Sequence, residues 1–305
     1  MSGIGVLVPH EQGLVALADV PGVTAEQYDV AGALPPAAAT AQVLVPPFLA
    51  TPEVVALTER LPELRLVQLL TAGAENWVGK LPARVALADC RGAHGGATAE
   101  WIVAVLLACY RHLPRFVRAR DEGRWDYHQT EELAGKRVLV VGAGDVAEHT
   151  VRRLKPFGVT TTLVGRRARA GVHGVDEVRD LLPEHDACVV IVPLTDDTRG
   201  LVDASFLAAM PDGALLVNAA RGPVADTDAL TAELTSGRLR AAVDVTDPEP
   251  LPAGHPLWRA PGLLLTPHVG GSVPGALERA FAVAAEQITA FARGERPPNL
   301  VENGY

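Results

Sequence analysis

Short apolar runs recur along the chain at 5–8, 43–45, 66–70, 137–141, 160–164, 187–192, 214–218, 241–245 and 263–266, most of them unbroken by polar residues. A strand with one wet face alternates apolar and polar residues, whereas an unbroken apolar strand must be covered on both faces. Stretches of helical period lie between the runs, at 52–60, 97–120, 146–155, 204–209, 227–236 and 274–292. Doubly covered strands alternating with helices predict an α/β chain built on doubly wound parallel sheets. A length of 305 residues suits two domains.

The net charge of −9 argues against a nucleic-acid or anionic-membrane partner, since either needs a basic face. Cys90, Cys109 and Cys188 stand far apart, with no second cysteine or histidine at ligand spacing, so no metal is expected. Cys109 and Cys188 lie in apolar runs and read as buried thiols, which suits a reducing compartment. Residues 1–9 lack a basic cluster followed by an apolar run, and the apolar stretch 102–110 is too short to cross a bilayer. A cytoplasmic location is the expectation.

The segment 138–147, VLVVGAGDVA, follows a strand pattern and opens a helix pattern. That is the context in which a GxGxxA turn binds a dinucleotide. Gly142 permits the tight turn, and Gly144 lets the backbone approach a pyrophosphate. The amides of Asp145 and Val146 then open the helix that holds it, and Ala147 sets helix–strand packing. An NAD site places an acid at the end of the next strand. Here that strand ends in Gly165, Arg166 and Arg167. Glycine leaves room for a 2′-phosphate and guanidinium groups can grip it, so NADP is preferred over NAD. The alternative reading of Arg166 and Arg167 is two solvated surface cations.

Three polar residues stand at strand ends further along: Arg221 after the run ending at Ala220, Glu249 beyond Val245, and His268 after the run ending at Thr266. Ligands of open α/β sheets bind at the carboxyl ends of the strands. Reducing a 2-oxo acid needs a hydride donor, a proton donor and a cation. Arg221 can pair with the carboxylate and polarise the oxo group. His268 can exchange the proton, and Glu249 can orient the imidazole and favour its charged form.

The segments 217–230 (VNAARGPVADTDAL), 244–252 (DVTDPEPLP), 255–258 (HPLW) and 265–272 (LTPHVGGS) resemble, in order and spacing, the signature of the D-isomer-specific 2-hydroxyacid dehydrogenase family. The likeness covers nearly the whole chain and is thin over the first forty residues. Gly165, Arg166, Arg167 and the prolines of 248–252 are most similar to its glyoxylate/hydroxypyruvate reductase branch. The resemblance implies a catalytic set of Arg221, Glu249 and His268, with Pro193, Ala220 and Asp244 beside the nicotinamide. It implies a substrate-carboxylate loop at Ala72, Gly73 and Ala74, and a Thr98 contact to cofactor phosphate. Small 2-oxo and 2-hydroxy acids such as glyoxylate and hydroxypyruvate would be the substrates. It further implies a Rossmann cofactor domain over 95–271, and a smaller discontinuous flavodoxin-like substrate domain from 1–94 and 272–305. A homodimer is expected through the helix from Ala97 and the Trp125 loop. His94, His128, Trp125 and Trp258 adjoin segments that can line the cleft. Two alternatives stay open: a phosphite-type dehydrogenase of the same fold, and a nucleotide-sensing scaffold or corepressor acting through protein partners.

Overall fold

The computed structural model describes residues 3–48 and 51–302. Its contacts divide the chain into two compact units, one running through to His94 and resuming at Pro274, the other Gly95–Val273. The first unit opens with β1 (Ile4–Val8), α1 (Glu11–Leu17), β2 (Val23–Gln27), β3 (Ala41–Leu44), α2 (Pro52–Ala56), β4 (Leu66–Gln68) and β5 (Ala86–Ala88). The strands form one parallel sheet in the order β2-β1-β3-β4-β5, which is the flavodoxin-like arrangement. Strand side chains alternate between two cores. Leu7, Leu44 and Val67 face one with Leu57, Leu61 and Trp77, while Val6, Val8, Val43 and Leu66 face the other. This is why the runs read as unbroken.

The second unit begins with α3 (Gly95–Tyr110) and α4 (Leu113–Asp121). It continues with β6 (Arg137–Val141), α5 (Asp145–Leu154), β7 (Thr160–Gly165), β8 (His173–Gly174), α6 (Val178–Leu181), β9 (Ala187–Val190), α7 (Ala204–Ala209), β10 (Leu215–Asn218), α8 (Thr227–Thr235), β11 (Arg240–Val243) and β12 (Leu263–Leu265). Its parallel sheet runs β12-β11-β10-β9-β6-β7-β8. This is the Rossmann order with one added strand, and the winding reverses between β6 and β9. One face packs α3 and α5 through Ile102, Leu106, Tyr110, Ala147 and Leu154; the other packs α6, α7 and α8 through Val178, Phe206, Leu230 and Leu234. Finally α9 (Ala276–Ala292) returns to the first unit and lays Phe281, Ala284 and Ile288 over its second core. Burying a phenylalanine or isoleucine there contributes about 1.5–3 kcal/mol each.

Two sequence expectations are corrected. The single helix over 97–120 is two, broken at His112, which has φ 52°. Pro114 is the reason: inside a continuous helix it could not donate to the Tyr110 carbonyl, and its ring would strike that group. Cys109 is half-buried rather than buried, although its surroundings still push the thiol up to about 11. Among the described residues no helix is long and apolar enough to cross a membrane.

His185 is a buried titratable group with a consequence for stability. Its Nδ1 donates to the Leu181 carbonyl (2.7 Å) and its Nε2 accepts from the Thr162 hydroxyl (2.9 Å). Burial holds the imidazole below the ordinary histidine value, and the same holds for His112, where His128 adds to the effect. In the unfolded chain these groups take up protons near pH 6.5. Below that pH the unfolded state binds more protons than the folded one, so stability falls as pH falls. The urea midpoint is therefore expected to drop between pH 7 and 5.5, and less steeply in His185→Gln. A profile as steep in the variant as in the parent would refute this origin.

Candidate active site

Most residues named from sequence in the second unit follow the carboxyl ends of its strands, whereas Thr98 lies on α3 and Trp125 and His128 lie between α4 and β6. β6 ends in Gly142, whose amide donates to the Val164 carbonyl (2.8 Å) and whose φ is 127°. A Cβ there would stand 2.7 Å from the Ile191 carbonyl oxygen, so only glycine makes this turn. Gly144 precedes α5 and opens onto free space. The first-turn amides of Asp145 and Val146 have no partner within their own helix, by the geometry of any helix start. Ala147 is buried in the α3–α5 core. The Asp145 carboxylate turns away from this opening and packs against Gly95 at the start of α3. It is therefore the backbone of Asp145, not its side chain, that faces an anion. A turn of this shape, roomy at Gly144 and ending on helix amides, fits a pyrophosphate. Thr98 lies half-buried in the second turn of α3, and Pro193 is exposed beyond β9, its carbonyl accepting from Thr198 (2.6 Å).

Arg221 follows β10 in extended conformation. Asn218 shapes this turn: its Oδ1 accepts from the Ala220 amide (3.0 Å) and its Nδ2 donates to the Arg221 carbonyl (3.3 Å). The guanidinium of Arg221 donates to the Ala220 carbonyl at 2.7 Å. Gly222 must lack a side chain, because a Cβ would overlap the Thr246 carbonyl.

His268 lies beyond β12, and its Nδ1 is 2.6 Å from Glu249 Oε1, with the two side chains 43% and 42% exposed. The carboxylate accepts only, so Nδ1 carries the hydrogen and Nε2 is the nitrogen left for other chemistry. The backbone of His268 has φ 56°, a left-handed conformation that costs a non-glycine residue about 1–3 kcal/mol. Asp244, 4% exposed after β11, imposes it. The Asp244 carbonyl accepts from the His268 amide (2.7 Å). One carboxylate oxygen accepts from the Thr266 hydroxyl (2.6 Å) and the Val269 amide (2.8 Å), the other from the Gly270 amide (2.7 Å). The loop carrying the imidazole is thus tied to one buried carboxylate.

Asn218 and Thr266 were not singled out from sequence. Each is a polar residue ending an apolar run, which is the signal that could have found them. A third arginine, in the same run as Arg166 and Arg167, reaches the phosphate loop: exposed Arg169 donates from Nη2 to the Ala143 carbonyl (3.1 Å). Arg166 and Arg167 are exposed, and Arg166 pairs with Asp197 at 3.6 Å.

In the first unit, Thr71 closes the glycine loop by donating to the Gly73 carbonyl (2.7 Å); Ala72 is exposed and Ala74 buried. Of the remaining residues named from sequence, His94, His128 and Trp258 have local structural partners. His94 Nε2 meets the Leu70 carbonyl at 2.8 Å, and His128 stacks on Phe116 and pairs with His112 at 3.0 Å. Trp258 donates to the Pro252 carbonyl (2.9 Å). Trp125 is 92% exposed.

Residues 103–270 match the family model described as "D-isomer specific 2-hydroxyacid dehydrogenase, NAD binding domain". The chain belongs to this family. Its dinucleotide turn, Arg221, Glu249 and His268 all fall in the matched segment. Among its relatives is a glyoxylate reductase of Thermofilum pendens, 35% identical over 67% of this chain and 64% of that protein, so just under two thirds of the relative is spanned. A glyoxylate reductase of Aeropyrum pernix is 33% identical over 80% of this chain and 78% of the other. Similarity thus falls in the glyoxylate/hydroxypyruvate reductase branch. A crystal structure of a family member from Xanthobacter autotrophicus Py2, in complex with NADPH and MES, superposes with TM-score 0.88. It is 31% identical and covers 100% of both chains.

Proposed function

We propose that this family member is an NAD(P)-dependent oxidoreductase that interconverts a small 2-oxo acid and its D-2-hydroxy acid, with glyoxylate or hydroxypyruvate as substrate and NADP as the preferred cofactor. The observation that carries the reading is the 2.6 Å His268–Glu249 pair on a loop tied to Asp244, at the same sheet edge as Arg221 and the phosphate turn. NADP-linked relatives support the cofactor preference: the Xanthobacter protein is in complex with NADPH.

The Gly142–Gly144 turn would hold the pyrophosphate of a reduced nicotinamide dinucleotide, which would supply the hydride for the carbonyl carbon. His268 holds a proton on Nε2 and releases it to the carbonyl oxygen as charge develops there. Glu249 keeps the ring oriented through Nδ1. Arg221 binds the substrate carboxylate and polarises the oxo group. In the oxidation direction the neutral Nε2 takes the hydroxyl proton back. The amides of Ala72, Gly73 and Ala74 belong to the same reading as donors to the substrate carboxylate.

The test is consumption of NADPH and of NADH with glyoxylate, hydroxypyruvate, pyruvate and bulkier 2-oxo acids. Turnover with the small acids, faster with NADPH, is expected. Silence across the panel in protein that binds NADPH would sink the reading. The proposal includes a homodimer. The exposed Trp125 and Tyr127 sit on a loop braced by Arg115 and Arg124 on Asp126, as a docking surface should be. A monomeric mass by light scattering would remove that part.

A further inference from the structure

The segment joining α4 to β6 has no helix or strand of its own, yet it is tied down at alternate residues. Trp125, Tyr127 and Gln129 are exposed, while Asp126, His128 and Thr130 are half-buried. Asp126 accepts from Arg115 (2.6 and 3.1 Å) and pairs with Arg124 (3.0 Å). Thr130 accepts from Arg111 (3.1 Å), and the Glu131 amide donates to the Tyr110 carbonyl (3.0 Å). His128 sits between these ties. Its ring stacks on Phe116, its Nδ1 is 3.0 Å from the Asp126 carbonyl, and its Nε2 is 3.0 Å from Nδ1 of His112 at the corner between α3 and α4. The two imidazole planes are 26° apart, so the N–H of one can point along the lone pair of the other.

A carbonyl only accepts, so His128 Nδ1 carries a hydrogen. In the neutral pair His128 Nε2 is therefore the acceptor and His112 Nδ1 the donor. A first proton leaves the bond intact, because it can sit on the far nitrogen of His112. A second proton puts hydrogen on both facing nitrogens, which removes the bond and sets two cations side by side. Around His112, burial, His128, Arg240 and Arg115 disfavour charge, and Glu131 favours it. Beside His128, the Asp126 carboxylate stands 3.8 Å from Nδ1. Those carboxylates titrate elsewhere. Hydrogen bonds from Arg115 and Arg124 hold Asp126 down to about 2. Burial opposes charge on Glu131, yet Lys136 and Arg240 still hold it below the usual carboxylate range. The ties at 126 and 131 thus outlast the histidine pair as pH falls.

We propose that the His112–His128 pair is a proton-operated latch: with one proton or none it holds segment 127–130 against the α3–α4 corner, and the second proton releases it while 126 and 131 stay anchored. The bonded form belongs to higher pH and is lost on acidification. Tyr127 lies in the released segment, so acid also weakens a dimer docked there, a consequence that rests on the homodimer reading above.

The test is a nitroxide spin label on Gln129→Cys in the full-length protein, read by electron paramagnetic resonance from pH 7.5 to 5. Cys90 and Cys188 are buried and the Cys109 thiol is pushed up to about 11, so the introduced thiol reacts first. The label is expected to be restricted at pH 7.5 and mobile at pH 5. His128→Ala should make it mobile throughout. His112→Asn should keep it restricted throughout: asparagine suits the left-handed corner, and its amide either donates to His128 Nε2 or accepts from it without taking charge. A label equally restricted at both pH values overturns the latch. A transition unchanged in His112→Asn traces the release to another group and overturns it too. So does a second label, at exposed Ala232→Cys on α8, that loosens at the same pH, since that marks general unfolding. Light scattering reads the dimer separately. A monomer at pH 7.5 sinks the homodimer reading and leaves the latch to the label, and a dimer intact at pH 5 with the segment released overturns the weakening.

Discussion

Turnover of the His268→Ala variant is expected to fall about 10²–10⁴-fold, the usual worth of a positioned acid–base group. Affinity for NADPH should stay within about twofold, because the phosphate turn at 142–147 shares no hydrogen bond with the His268 loop and well-separated sites act independently. Alanine also changes the backbone setting, since φ 56° suits few side chains. His268→Asn separates the two effects. Asparagine tolerates the left-handed region but is no base, so it should keep the fold of the loop and lose turnover to the same degree. Recovery of near-parental rates in the asparagine variant would show that His268 acts through loop shape and not through its proton. Glu249→Gln should be milder. The amide oxygen can still accept from Nδ1 and hold the ring, so the loss should appear in kcat and leave NADPH affinity unchanged.

Arg221→Gln is the second large effect. A glutamine has similar reach and keeps a donor, but it lacks the charge and the fork. Removing a donor aimed at a developing oxyanion costs about 10²–10³ in kcat. Because Arg221 is also read as binding the carboxylate, KM should rise as well. Arg221→Lys is expected to recover part of the KM and little of the kcat, because an ammonium pairs with one oxygen rather than two. Steady-state kinetics with glyoxylate would decide. A variant changed in KM alone would confine Arg221 to substrate binding.

Much of the fold was legible because β1, β3, β4, β6, β9, β10 and β11 are largely buried and fall on the apolar runs, as do the less buried β7 and β12. Strands that escaped are those where burial is incomplete or the strand is very short. β2, Val-Thr-Ala-Glu-Gln, is an edge with no buried residue, and β8 has two residues. The break at His112 was written in Pro114, but the apolar pattern around it ran on. For the candidate site, position was legible from one rule: polar residues that end apolar strands collect at one sheet edge. The ties that fix them were not. Asp244 gathers donors from residues 22–26 positions away, and Arg169 reaches back 26 positions to Ala143. Contacts of that kind have no local period to betray them.

The return of α9 to the first sheet also sets an order of events at the ribosome. Chains are made from the amino end, and units fold as they become complete. The unit Gly95–Val273 is continuous and is finished first. The earlier sheet must wait through that whole insertion with Val6, Val8, Val43 and Leu66 lacking the cover of Phe281 and Ile288. Its last strand, β5, gains the Ala88–Leu300 bridge only after Leu300 has emerged. The first sheet is thus synthesised before the unit Gly95–Val273 and sealed after it. During that interval it is the surface most exposed to chaperones and to aggregation.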